Sequence, residues 1–384
     1  MTPGARTQAA IELLDTVIAA ARDEGAAADT LIARYFAARR YAGSKDRRAV
    51  RERVYAAIRA LGERPASGRA AMLALAADDA DLAATFDGGR HAPAPVAPDE
   101  PVASRGVAPA WLEQALADAG LDEDERAALV DRAPLDVRLN PLRPAPELVG
   151  AQPIAGLPDA RRLPAGFDLA PFAGAVEAQD AGSQAVTLAA AARAGMTVLD
   201  LCAGAGGKTL ALAAAMQNEG RIVAADVDRA RLSRLAPRAE AAGVTIAETR
   251  LLDPGREAAA LADVAADVVL VDAPCSGTGT WRRNPEARWR LTPARLDRLV
   301  ATQARLLDIA ADRVRPGGAL TYIVCSLLDA EGSAQVAGFL ARRGGWAAEP
   351  ADLPLGRAHG TGWRLTPAHD GSDGFFVARL RAPC

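Results

Sequence analysis

The sequence predicts an α/β protein: a doubly wound sheet, preceded by a small α+β domain and an all-α domain. Three observations carry this. From Met196 onward, strand-like and helix-like segments alternate. One of those strands, DVVLVD at Asp267–Asp272, is a continuous apolar run of the kind buried on both faces. Residues 1–131 instead repeat apolar positions at helical spacing.

In the first segment Ala9, Ile11, Leu14, Val17 and Ile18 share a helix face, as do Val50, Val54, Ile58 and Leu61. Residues 87–109, rich in Pro, Gly and Ala, read as a linker or extended crossing. Two further helices are expected at Pro109–Ala119 and Glu123–Arg132. Residues 132–175 read as the small α+β domain, with strands at Leu135–Asn140 and Ala160–Leu163 and a helix near Pro146–Gly150. Residues 176–384 read as the doubly wound domain. Its strands are placed at Thr197–Leu201, Arg221–Asp226, Val244–Thr249, Asp267–Asp272 and Ala319–Cys325. Helices fall at Lys208–Met216, Asp228–Ala241, Pro293–Val314 (ended by Pro316-Gly317-Gly318) and Ala330–Arg342. A hairpin-like pair, Trp363–Thr366 and Gly374–Leu380, closes the domain. In such sheets ligands sit at the carboxyl ends of the strands.

Composition excludes several classes. Half the residues are hydrophobic and 24% are charged, enough apolar content for real cores. No apolar run approaches the roughly 18 residues of a membrane span. The first residues lack an apolar leader core, so a cytoplasmic location is expected. The four cysteines (Cys202, Cys275, Cys325 and Cys384) are too scattered for a disulfide framework or a zinc knuckle, and no metal is expected. Net charge is −3, but its distribution is uneven. Leu31–Arg64 holds ten basic and three acidic residues, a stripe suited to phosphates. Only two lysines occur, Lys45 and Lys208, in a chain otherwise using arginine.

The loop DLCAGAGGKT, Asp200–Thr209, joins the first strand of the sheet to its helix. A phosphate-binding P-loop would need glycine at Cys202, and a dinucleotide loop would need glycine at Thr209. S-adenosylmethionine fits a third way. It is cationic, and Asp200, Asp226, Asp253 and Asp272 stand at four successive strand ends as an electronegative edge. Asp226 is placed to take ribose hydroxyls and Asp253 to meet the adenine. Cys275 (in DAPCSGTG) and Cys325 (in TYIVCS) lie at the same edge, next to the cofactor loop. A methyltransferase needs a cysteine when the acceptor is a poor nucleophile such as a pyrimidine carbon 5. A thiolate added at carbon 6 makes carbon 5 enamine-like. Lys208 is the nearby cation that favours a thiolate.

With these motifs stated, the chain resembles the Sun/Nop/RsmB-type RNA 5-methylcytosine methyltransferases. QDAGSQ (Gln179–Gln184), DLCAGAGGKT, DAPCSGTG and IVCSLLDAEG carry the likeness. YFAARRYAGSKDRRAVRERVYAAIRAL is similar to the NusB-like helical RNA-binding domain of the RsmB branch, and PLDVRLNPLRP resembles the small domain before the catalytic one. The resemblance implies a class I, Rossmann-like methyltransferase sheet. It implies S-adenosylmethionine held by Cys202, Ala203, Gly204, Ala205, Gly206, Gly207, Lys208, Asp226, Asp253 and Asp272. It implies Cys325 as nucleophile, Cys275 as the aid to product release, and Asp272 at both the cofactor and the target base, with Lys208 as the catalytic cation near the thiol. The implied substrate is RNA, small-subunit ribosomal RNA above transfer RNA, and the implied form is a monomer. Two positions depart from the family pattern: Ala205-Gly206 replaces a proline-containing turn, and Val324 replaces threonine before the second cysteine. Trp281 and Trp289 interleave with arginine in WRRNPEARWR, residues 281–290, and read as a clamp for single-stranded RNA. A P-loop ATPase, a DNA cytosine-5 enzyme with Cys275 as nucleophile, and a non-catalytic RNA-binding assembly factor are the alternatives.

Overall fold

The computed structural model describes residues 1–23 and 25–384. Met1–Arg132 together with Thr280–Thr292 form one compact unit, and Ala133–Gly279 with Pro293–Cys384 form a second.

The first unit is helical: α1 (Pro3–Arg22), α2 (Ala28–Ala37), α3 (Ser44–Ala60), α4 (Gly68–Ala76), α5 (Ala80–Ala83), α6 (Ala110–Asp118) and α7 (Glu123–Ala128). Side-chain caps fix the starts of several helices. Thr2 accepts from the Ala5 amide, Ser67 from Ala70 and Asp122 from Glu125, each satisfying an amide the helix leaves free. Leu13, Leu14 and Val17 of α1 bury against Val50, Val54 and Ile58 of α3 and Met72 of α4. Burying each of the larger side chains is worth about 2 kcal/mol.

The segment 280–292 is a structural part of this helical unit, and here the RNA-clamp expectation is corrected. Trp281 and Arg288 are fully buried and Trp289 is 4% exposed, so neither tryptophan is free to stack on a base. The reason lies in helix ends. The Arg288 guanidinium donates to the carbonyls of Ile58 (2.5 Å), Arg59 (3.3 Å) and Leu61 (2.8 Å), where α3 ends, and Trp289 Nε1 also reaches Leu61 (3.2 Å). Glu286 accepts the Ala28 amide at 2.9 Å, capping α2, whose own Ala27 has no side chain for the task. Burial lowers the Arg288 guanidinium to about 9. Arg288→Ala strips these carbonyls of their donor inside a core, so the helical unit should lose about 3 kcal/mol. Urea unfolding followed by far-ultraviolet dichroism measures this, and an unchanged midpoint would refute the capping role.

The second unit begins with an antiparallel sheet of β1 (Leu135–Leu139), β2 (Gln152–Ile154), β3 (Leu157–Leu163) and β4 (Val176–Ala178), in the order β2-β3-β1-β4. The helix expected near Pro146–Gly150 does not form. Pro141, Pro144 and Pro146 remove amide donors there, and the stretch is irregular. α8 (Ala181–Leu188) packs on β1 and β3, its start capped by Asp180.

The large sheet is then assembled from β5 (Thr197–Leu201), α9 (Gly207–Ala215), β6 (Arg221–Asp226), α10 (Arg229–Leu232), α11 (Leu235–Ala242), β7 (Ala247–Leu251), α12 (Glu257–Ala260), β8 (Ala266–Asp272), α13 (Pro293–Ala311), β9 (Val314–Val324), α14 (Ser333–Arg342), β10 (Ala347–Glu349), β11 (Arg357–His359), β12 (Gly362–Leu365), α15 (Pro367–Asp370) and β13 (Phe375–Arg381). The strand order is β11-β12-β13-β9-β8-β5-β6-β7, with β10 pairing β13. β9, β8, β5, β6 and β7 run parallel, and β13 is antiparallel to β9. Three differences from the expected elements have local causes. The single helix over 228–241 is two, because Pro237 cannot continue the ladder across residues 233–234. The third strand is shifted to Ala247–Leu251. Pro316-Gly317-Gly318 lies within β9 as an irregularity in its pairing with β8, rather than after a helix.

The run DVVLVD is apolar throughout because both faces are covered. Val268 and Leu270 face the α8 and α9 side, while Val269 and Val271 face the α13 and α14 side. The strand order reverses between β5 and β8, which places the ligand crevice at the carboxyl ends of these strands.

Candidate functional site

The chain leaves β5 through a loop that only special backbone conformations permit. Cys202, Gly204 and Gly206 all have positive φ, and Gly206 is the residue before α9. A Cβ on Gly206 would lie 2.6 Å from Leu235 Cγ, so a larger residue there is excluded by space as well as by φ. The turn closes through Gly206 N to Ala203 O at 2.9 Å. Ala205-Gly206 therefore makes the turn without proline. Cys202 is half-buried, and desolvation pushes its thiol far up, which suits an inert wall of the loop.

The four carboxylates differ in state. Asp200 is fully buried. Its Oδ2 accepts from Thr209 Oγ1 at 2.6 Å, and its Oδ1 has no hydrogen-bond partner among the described residues. Burial raises Asp200 to about 7. Asp226 holds the loop: its oxygens accept the amides of Gly204 and Asp228, each at 2.7 Å. Asp253 lies two residues beyond β7 and is exposed. Asp272 ends β8 and pairs with Lys208 at 2.8 Å. Burial acts to lower the Lys208 ammonium, but the Asp272 carboxylate outweighs it and the net displacement is upward. Lys208 Nζ also donates to Ser183 Oγ at 3.3 Å, and it lies 5.7 Å from the centre of the Phe375 ring. Its hydrogen-bond partners are thus a carboxylate and a hydroxyl. Its influence on Cys325 is electrostatic.

The two thiols come together. Cys275 Sγ and Cys325 Sγ are 3.3 Å apart, on the loops that follow β8 and β9. The backbone forces this. The ladder continues past the strands through Ala273 N to Ile323 O at 2.9 Å, and Gly279 N returns to Cys325 O at 3.0 Å. Gly279 is the one residue type that fits, since a Cβ there would be 2.1 Å from Gly374 O. The hydrogen bond to Cys325, with burial behind it, pushes the Cys275 thiol well up. Either sulfur can donate in this contact, and the upward displacement of Cys275 favours its keeping a proton. Cys384 is exposed.

A protein-family model described as 16S rRNA methyltransferase RsmB/F matches residues 186–381. The chain belongs to this family. Among its relatives, the ribosomal RNA small subunit methyltransferase B of Thermus thermophilus is 41% identical over 191 residues, 50% of this chain and 46% of that one. The protein of the same name from Xanthomonas campestris is 35% identical over 281 residues, 71% of this chain and 57% of that one. The chain spans about half to three-fifths of the length of the curated relatives it matches. The crystal structure of PH0851 superposes with a TM-score of 0.77 at 22% identity, covering 99% of each chain. The structure of NSun6 from Pyrococcus horikoshii with SFG gives 0.51 at 26% identity, over 59% of this chain and 58% of that one. These likenesses fix the fold of this RsmB/F family member as a class I methyltransferase.

The site also contains residues that motif reading left without a role. Ser183 meets Lys208, and Thr209 meets Asp200. Glu331, in IVCSLLDAEG, is buried behind both thiol loops with Ser276, Ser326 and Gln303 around it. Ser183 and Glu331 lie inside quoted motifs, which was the available signal. Gln303 gave none. Among the described residues no helix is long and apolar enough to cross a membrane, and no cluster of His, Cys, Asp and Glu has a metal-holding arrangement.

Proposed function

We propose that this chain is an S-adenosylmethionine-dependent methyltransferase acting on carbon 5 of a cytosine in small-subunit ribosomal RNA, in the cytoplasm and as a monomer. The observation that carries the reading is the pair of thiols 3.3 Å apart at the ligand edge of the sheet, beside the Lys208–Asp272 pair. One thiol suffices to wall a pocket. Two in contact suit a reaction that first forms and then breaks a sulfur–carbon bond.

The residues fit the cofactor. The orphaned Asp200 Oδ1 matches a cationic group, and the Cys202–Lys208 loop brings backbone close without a side chain between. Asp226, Asp253 and Asp272 complete the set, each Asp226 oxygen keeping a second acceptor site. When bound, S-adenosylmethionine supplies an electrophilic methyl group. Cys325 adds to carbon 6 of the extruded cytosine, and the electron pair of the 5,6 double bond becomes available at carbon 5. After carbon 5 is methylated, a base removes its proton. The 5,6 double bond re-forms, and the carbon–sulfur bond breaks. Cys275, still holding a proton, meets the departing thiolate. Lys208 is the cation nearest the reacting thiol in this reading, and Asp272, paired with it, orients the base.

Residues 1–131 supply phosphate contacts in this reading. Arg34, Arg40, Lys45 and Arg48 are exposed and make no ion pair among the described residues. Residues 132–175 sit before the catalytic domain at 176–384. The deciding experiment offers labelled S-adenosylmethionine with unmodified small-subunit ribosomal RNA, transfer RNA and duplex DNA. Label in ribosomal RNA alone is the expected result. Label in transfer RNA or DNA would reassign the substrate, and tight RNA binding without transfer would favour an assembly factor.

Asp200 adds a pH prediction. A cationic ligand binds the ionised carboxylate, and Asp200 near 7 is increasingly protonated as pH falls. Cofactor affinity should therefore drop about tenfold from pH 8 to pH 6. Asp200→Asn should be weaker and flat with pH. Titration calorimetry measures both, and a pH-independent wild type would remove Asp200 from the cofactor site.

A further inference from the structure

The two thiols sit on separate loops, so something must hold the loops in register. Glu331 is fully buried and has no cation partner among the described residues. Its Oε1 accepts the Ser276 amide at 2.8 Å and Gln303 Nε2 at 2.9 Å. Its Oε2 accepts Ser326 Oγ at 2.5 Å and also Ser276 Oγ. Ser276 directly follows Cys275, and Ser326 directly follows Cys325. One carboxylate thus grips the residue after each thiol. Gln303 of α13 extends the grip by donating to Pro274 O at 3.0 Å, on the other side of Cys275. The Tyr322 hydroxyl donates to the Glu331 carbonyl at 2.7 Å, which fixes the backbone of the strap itself. Thr278 Oγ1 receives the Leu327 amide at 2.8 Å and stitches the same two loops further along.

We propose that Glu331 is the positioning residue that sets the Cys275–Cys325 spacing, by tying the loop of one thiol to the loop of the other. The inference rests on the proposed function, since it is the reaction of two thiols that needs this spacing. A carboxylate is required because all four partners are donors. Glutamine offers one oxygen and turns an amino group toward donors. A buried carboxylate in a low-dielectric core is costly unless it is fully satisfied, and here it is satisfied by these two loops and α13.

The test compares wild type, Glu331→Gln and Ser326→Ala, the last removing one arm of the strap with little change in volume. Three quantities are read: steady-state, multiple-turnover methyl transfer to small-subunit ribosomal RNA, S-adenosylmethionine affinity, and the pH profile of Cys275 alkylation by iodoacetamide, followed by peptide mass spectrometry. In Glu331→Gln the rate should fall about 100-fold, as expected when reacting groups are displaced by a fraction of an ångström to 1 Å. KM and cofactor affinity should stay within about threefold. The Cys275 alkylation profile should move to lower pH, because both the Glu331 charge and the bond to Cys325 hold its proton in place. Ser326→Ala should move both readouts the same way by less. An unchanged alkylation profile in Glu331→Gln overturns the proposal, as does a rate loss matched by an equal loss of cofactor affinity. If Glu331→Gln does not fold, Ser326→Ala decides by the same criteria. If wild type transfers no methyl group, the function reading falls, and the alkylation profiles alone still test the strap.

Discussion

Cys325→Ala is expected to lower methyl transfer by about 10⁴-fold or more while leaving S-adenosylmethionine affinity within about twofold. The separation of effects follows from position. Cys325 follows β9, whereas the cofactor loop follows β5, with β8 between them in the sheet. Alanine keeps the Cβ and the backbone bond from Gly279 N to Cys325 O, so the loop retains its course. What is lost is the thiolate that activates carbon 5, and the chain offers no second route to that activation at the same place. Cys275 is held protonated by its bond to Cys325 and by burial. Removing Cys325 also removes the first of those influences, so Cys275 should alkylate at lower pH in the variant. That side effect is a useful control, because it shows that the mutated site is folded and open. Full turnover in Cys325→Ala would mean that Cys275 is the nucleophile, as in the DNA-type arrangement.

How much of this was legible in the sequence depended on whether the partner was local. β8 and the apolar end of β9 were readable because both faces are buried, leaving uninterrupted apolar runs. The positive-φ loop was readable from its glycines. The meeting of Cys275 and Cys325 was readable because two parallel strands in register bring their exits together. Residues whose partners are distant backbone atoms were not readable. WRRNPEARWR has the composition of an RNA clamp, yet Arg288 caps α3 from more than 200 positions away along the chain. A guanidinium bonding carbonyls leaves no complementary acid to notice. Pro316-Gly317-Gly318 has the composition of a terminator but is absorbed as an irregularity of β9. β10 and β11, three residues each, are defined by pairing with neighbours rather than by any pattern of their own. Lys208 was expected beside a thiolate. Its closest partner is Asp272, a pairing that sequence spacing alone does not reveal.

Cys275→Ala should behave in the opposite way to Cys325→Ala: the first bond forms and the last fails to break. Addition at carbon 6 needs the Cys325 thiolate, which this substitution leaves in place. It removes a donor from that sulfur, and an unpaired thiolate is the better nucleophile. Release is different. When the carbon–sulfur bond breaks, the electron pair returns to Cys325 Sγ, and in wild type the Cys275 thiol, 3.3 Å away, is placed to give that sulfur a proton. Without that proton the thiolate is a poorer leaving group, and the reverse addition competes with departure. Loss of one positioned proton donor slows such a step by about 10²–10⁴-fold. Turnover should therefore stop near one equivalent, with a protein–RNA species that survives denaturing electrophoresis. Digestion and mass spectrometry should place the nucleotide on Cys325. The double variant Cys275→Ala/Cys325→Ala should give no adduct, which ties the trapped species to that thiol. If Cys275→Ala turns over freely with no trapped species, the proton for release comes from elsewhere, and the close approach of the two sulfurs serves only to hold Cys325 in place.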